Sequence, residues 1–353
     1  MGRIAKVHLV GSVACPTTED VFRLCSSRIG TDIVSLPDGE VGDREDYNTF
    51  VAYRILDGHS DLETVARPRM APSKKAWWHA NDLLHNTWKF RIKDSVKYPR
   101  FENLLYADAA IRSYELFRRM RDEGTIPADV RFQVSLPPPH SAAGMWFHEP
   151  DDYNRAVPAY LEAMVAEVQR LVAAIPSGDL AIQWDACHET LDIEGNLAWT
   201  PKSDPWIRFA SELVPMSMYI PEDVLIGFHF CYGDIQGRHE LEPKDLSTVV
   251  RMANLAANNS GRRVDWVHMP VPRGRADDAY FKPLIRLAVG TTRVHLGLIH
   301  HADGAEGARK RIETARKFLP SFGIAGECGL GRVDPAVLPD LLTIHHEAAQ
   351  YLA

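Results

Sequence analysis

No apolar run in this chain approaches the ~20 residues that a membrane-spanning helix needs. Basic residues are not in excess. The 40 Lys and Arg against 47 Asp and Glu give a formal net charge of −7, the wrong sign for a nucleic-acid partner. Cysteine is scarce, with five residues in 353. Cys15, Cys25, Cys187, Cys231 and Cys328 are odd in number and widely spaced. That pattern argues against a disulfide framework and fits a reducing, cytoplasmic compartment. Internal repeats, low-complexity tracts and linkers are also lacking, which predicts one domain over residues 1–353. The first fifteen residues hold one short apolar stretch broken by Lys6 and His8, which reads as a first strand and not as a signal peptide.

What the chain does have is a regular alternation. Short apolar or β-branched runs occur at 5–10, 32–36, 130–136, 180–185, 224–230, 264–269, 293–298 and 322–327. Helical patterns follow most of them. Thr18-Glu19-Asp20 opens the first, and others cover 101–124, 153–174, 245–257, 305–319 and 338–352. Eight strands alternating with helices predict an α/β fold, a (β/α)8 TIM barrel. Residues 38–100 are too many for one βα connection. They predict a lid-like insertion after the second strand, with helices of its own. His345 and His346, on the last helix, are expected at the surface.

Active sites of such barrels lie where the strands end. The strand ends here carry acids, histidines and thiols: Gly11-Ser12, Asp38-Gly39-Glu40, His140, Asp185-Ala186-Cys187-His188-Glu189, His229 with Cys231, His268, His300-His301 and Glu327-Cys328. His229 and Cys231 form an H-x-C pair, and residues two apart on a strand share a face. One imidazole and two thiolates suit zinc, and three protein ligands leave a position open for a substrate. Cysteine is also a common buried small hydrophobe, so two core thiols and a satisfied histidine stand as the other reading of the same residues. Glu40 and Asp185 suit an ammonium ligand. As loop acids they also suit caps or ion pairs.

These motifs resemble the catalytic barrel of cobalamin-independent methionine synthase. The resemblance spans essentially the whole chain and is carried by its motifs. Val10-Gly11-Ser12 resembles that family's Ile-Gly-Ser turn, and Asp38-Gly39-Glu40 with Arg44 resembles its His-Gly-Glu segment. Ile182-Gln183-Trp184-Asp185 resembles its Ile-Gln-Ile-Asp. His229-Phe230-Cys231-Tyr232 and Cys328-Gly329-Leu330 resemble its zinc-binding segments.

The resemblance implies Zn2+ held by His229, Cys231 and Cys328. It implies a substrate carboxylate at Gly11-Ser12 and a substrate amine at Glu40 and Asp185. It places His301 beside the reacting thiol as a catalytic residue, with His300 one residue away as the other choice. The implied function is a zinc-dependent transferase moving a methyl or other alkyl group to or from a thiol, which reacts as a zinc-bound thiolate. The partners are then a small-molecule thiol and an alkyl donor, with neither nucleic acid nor membrane. Oligomeric state stays open, a homo-oligomer included. The three-ligand pattern also resembles epoxyalkane:coenzyme M transferases, which add a thiol to an epoxide. A metal-free barrel that binds a small ligand is the further alternative.

One departure bears on the metal. The family's Glu zinc ligand at the end of the sixth strand aligns with Pro270, which cannot bind a metal. His268 lies two residues earlier on the same face, roughly 6.5 Å deeper for two strand residues. Three protein ligands are therefore expected. Loss of His268 is expected to change zinc affinity by no more than a few-fold.

Overall fold

A computed structural model describes residues 5–45, 48–68, 87–197, 200–234 and 239–352. Ten strands occur among them: β1 (Val7–His8), β2 (Ser35–Pro37), β3 (Leu62–Ala66), β4 (Lys89–Ile92), β5 (Arg131–Leu136), β6 (Leu180–Ala186), β7 (Leu225–Phe230), β8 (Trp266–Pro270), β9 (Arg293–Ile299) and β10 (Gly323–Gly326). Eight are parallel and pair in the order β1-β10-β9-β8-β7-β6-β5-β2. These are the eight expected strands. All residues of β6 are buried, as parallel strands covered by helices require. The fold is the (β/α)8 barrel.

The ring closes at the strand-end rim. β1 and β2 share no ladder, but Ser12 and Gly39 form an isolated parallel bridge. Val13 N–H donates to the Gly39 carbonyl at 2.9 Å, and Leu330 N–H donates to the Ser12 carbonyl at 2.7 Å. The Gly11-Ser12 turn is thus stitched to the loop that carries Glu40 and to the loop that carries Cys328.

The helices form because their apolar faces meet the outer face of the strands. Phe22 on helix Thr18–Ile29 and Phe132 on β5 both pack against Phe117 on helix Tyr106–Asp122, with ring centroids 5.5 and 5.4 Å apart. Thr17 caps the first helix by accepting from Asp20 N–H at 3.1 Å. Helix Pro205–Ser217, after β6, lies outside the helical patterns read from the sequence. Pro205 at its first turn and an Asp204 cap start it, and the internal Pro215 obscures its period.

One expectation is corrected, the surface position of His345. Between β2 and helix Tyr106–Asp122 the described residues form short helices, Gly42–Arg44 and Thr49–Val51 with Ala52–Leu56, and an antiparallel strand pair, β3–β4. The lid expected at 38–100 also includes residues 46–47 and 69–86, which lie outside the described residues. His345 is fully buried, with Nδ1 2.7 Å from the Leu341 carbonyl, because the last helix turns that face onto the barrel. His346 bonds Asp32 at 2.7 Å.

The barrel interior is polar. Gln183 Nε2 donates to the Val10 carbonyl at 2.5 Å and to Asp185 Oδ1 at 2.8 Å, and its Oε1 accepts from Trp266 Nε1 at 3.1 Å. Gln133 and Ser135 also donate to the Val10 carbonyl, at 3.0 and 2.9 Å. Trp266 fits because its register partner on β7 is Gly227, where a Cβ would stand 1.9 Å from the indole. Gly227→Ala should therefore destabilise the protein by about 1–3 kcal/mol or more in urea unfolding. Unchanged stability would contradict this packing.

Candidate metal and substrate site

Register sets the site. Asp185, His229, His268 and His295 are successive register partners on β6, β7, β8 and β9. Cys231 follows β7 by one residue, and its N–H donates to the Ala186 carbonyl at 3.2 Å. Cys328 arrives from the loop after β10. Among the described residues, the ligand atoms of His229, Cys231 and Cys328 all lie within 4.8 Å of one another. The Cys231 and Cys328 sulfurs are 3.7 Å apart, and Cys328 Sγ is 3.8 Å from His229 Nε2. Two thiolates held ~2.3 Å from one tetrahedral zinc stand about 3.8 Å apart. The three side chains fit such an ion.

Their protonation tendencies share one pattern. Burial pushes His229 down to about 3, so its ring is neutral. The Cys231 thiol is raised well above its ordinary value, chiefly by its hydrogen bond with Cys187. Cys328 is raised by its hydrogen bond with Cys231 and then by burial. A cation among them would reverse the tendency of both thiols. His268 does not join the cluster. It sits behind it, with Nδ1 2.7 Å from His229 Nδ1.

The cluster opens into a small cavity of about 60 Å³, also lined by Gly11, Ser12, Glu40, Asp185, Cys187 and Arg332. The structure therefore brings together every expected metal and substrate residue. Glu40 holds a left-handed backbone, φ 52°, which costs a non-glycine residue roughly 1–2 kcal/mol. Asp38 supports that bend by accepting from Glu40 N–H at 3.0 Å, while its other oxygen pairs with Arg44 at 2.5 Å. Burial raises the Glu40 carboxyl to about 7, against the pull of Arg44. Burial, and then the nearby Glu40 charge, raises Asp185 well above the carboxylate range.

His301 is placed elsewhere. It is exposed and lines a larger cavity of about 690 Å³, which shares Cys328, Gly329 and Arg332 with the small one. His300 turns inward, with Nε2 2.9 Å from the Val271 carbonyl. Of the two histidines, His301 is the one with an exposed side chain.

Further residues line these cavities, among them Cys187, Arg332, Glu327 and His239. The sequence reading gave a role to none of them. Cys187 stands beside Cys231, its N–H donating to Ser141 Oγ at 3.1 Å. Arg332 joins both cavities. Glu327, raised by burial to about 8, and His239 lie 3.4 Å apart on the larger one. Cys187 and Glu327 were visible as strand-end residues. His239 and Arg332 lie on loops whose placement no periodicity reveals.

No family model matches the sequence, and no curated protein matches it. Solved structures do match. One is a B12-independent methionine synthase from Shewanella sp. W3-18-1 in complex with selenomethionine. It has TM-score 0.61 and 13% identity, over 98% of this chain and 97% of that chain. Another is a proposed vitamin-B12-independent methionine synthase from Listeria monocytogenes. It has TM-score 0.57 and 11% identity, over 99% of this chain and 98% of that chain. The barrel these structures share with this chain, from end to end, is the one that the motif resemblance implied.

Burial of Glu40 has a measurable consequence. A carboxyl raised on folding favours the protonated native state, so stability falls as pH rises from the unfolded value near 4.3 through about 7. Glu40→Gln should match the parent protein below pH 4. It should exceed it at pH 8, by a margin on the order of 1–3 kcal/mol. Denaturant midpoints at both pH values measure this, and a variant no more stable at pH 8 would refute it.

Proposed function

We propose that this barrel is a zinc-dependent transferase that moves a methyl or other alkyl group to or from a small thiol. The observation that carries the reading is a single cavity that holds both the His229–Cys231–Cys328 cluster and the Glu40–Asp185 carboxyl pair. His229, Cys231 and Cys328 would hold the metal. When bound, zinc supplies a lowered thiol pKa, so that a substrate sulfur is a thiolate at neutral pH.

The remaining work falls to this chain's own groups. Glu40 and Asp185 are two buried carboxyls that an ammonium group would restore to their ionised forms, which favours an amine-bearing thiol. A sulfonate thiol brings no cation to ionise this pair, and this favours alkyl transfer to an amino thiol over epoxide opening by coenzyme M. The backbone turn at Gly11-Ser12 lies on the cavity wall to receive the far end of the substrate. The alkyl donor is assigned to the larger cavity, which meets the small one at Cys328. Transfer forms a sulfur–carbon bond and breaks the bond between that carbon and its leaving group. His301, on the wall of the larger cavity, would exchange a proton with the departing group.

The metal assignment is tested by elemental analysis. The purified protein should carry one zinc per chain, and Cys231→Ser and Cys328→Ser should each lose most of it, because a hydroxyl is a far poorer zinc ligand than a thiolate. Full occupancy in both variants would remove the cluster from the account.

A further inference from the structure

His268 is fully buried and lines neither cavity, yet both of its ring nitrogens are engaged. Nε2 lies 3.0 Å from the Gly326 carbonyl, and Nδ1 lies 2.7 Å from Nδ1 of His229. A carbonyl can only accept, so the His268 proton resides on Nε2. Both rings are buried, and these hydrogen bonds run to each other, a carbonyl and a thiol, so the neutral form is favoured for each. A neutral ring protonated at Nε2 presents a lone pair at Nδ1. His229 must therefore donate from its own Nδ1. The lone pair of His229 is then on Nε2, the atom that lies 3.8 Å from Cys328 Sγ.

The same residue links the two strands that carry the cluster. His229 is on β7, and Gly326 ends β10 two residues before Cys328. The register of β10 against β9 shifts between Ile324 and Gly326, and the carbonyl that receives the His268 proton belongs to the shifted residue. Depth alone made His268 dispensable for metal affinity. Its contacts argue the opposite.

We propose that His268 is a positioning residue that fixes His229 with its proton on Nδ1 and its lone pair on Nε2, so that a nitrogen donor faces the two thiols before a metal arrives. The geometry stands by itself, while the purpose rests on the zinc reading above. Outer partners of this kind commonly contribute ~10–100-fold to metal affinity.

The test has two parts. Long-range 1H–15N correlation of the imidazole rings in metal-free, histidine-labelled protein should show His229 protonated at Nδ1 and His268 at Nε2. A His229 proton on Nε2 would overturn the inference, whatever the variants do. Zinc affinity is then measured by competition with a chromophoric chelator. His268→Gln keeps an acceptor for His229 and a donor for Gly326, so it should stay within a few-fold of the parent protein. His268→Leu, matched to it in thermal stability, should bind zinc ~10–100-fold more weakly. Equal affinity in the Leu variant and the parent protein would also overturn the inference. If the parent protein binds no zinc, the metal reading fails, and the tautomer measurement still decides the role of His268.

Discussion

The structure depends on one constraint: polar groups sealed inside a barrel must find partners there. Nearly every local feature of the site follows from how this chain meets it. Gln183 satisfies the Val10 carbonyl, Asp185 and Trp266 together, and this ties the start of the chain to β6 and β8. His268 satisfies His229 and Gly326 in the same way, and this ties β7 to β10. The pairing runs upward through the barrel and reaches the rim at the cavity lined by Asp185, His229 and the two thiols. The floor of the site and the core of the barrel share these hydrogen bonds.

Electrostatics gives the second half of the account. Buried histidines are pushed toward the neutral form, and the two thiols and two carboxyls toward the protonated form. Every one of these tendencies disfavours charge, chiefly through burial at the histidine and carboxyls and through hydrogen bonds between thiols at the cysteines. The arrangement suits ligands that bring positive charge with them. A divalent cation suits the sulfur–nitrogen cluster, and an ammonium suits the carboxyl pair. The left-handed backbone of Glu40 is consistent with this, since strain of that kind persists where surrounding structure holds a residue for a task.

Much of this was legible in the sequence because strand chemistry is periodic. The H-x-C pair at His229 and Cys231 is informative only because strand residues alternate faces, and the eight short apolar runs located where such faces end. Tertiary contacts were not legible. His345 looks like a surface residue on a helix pattern, and its burial depends on which face the helix lays on the barrel. Helix Pro205–Ser217 was hidden by its internal proline, and the antiparallel β3–β4 pair lies in a connection whose composition favours no single element. His268 was placed at the right depth but not given its neighbour. Register between strands, which brings it to His229, is set by pairing across the barrel and not by either strand alone.

The central claim is that the His229–Cys231–Cys328 cluster holds a zinc ion with a position open to a thiol substrate. Zinc K-edge X-ray absorption, recorded before and after addition of a panel of amine-bearing thiols, tests it most directly. The account predicts one nitrogen and two sulfurs from the protein, and one additional sulfur at ~2.3 Å when a matching thiol binds. A spectrum with two sulfurs that no thiol alters, or a protein that arrives without zinc, would contradict it.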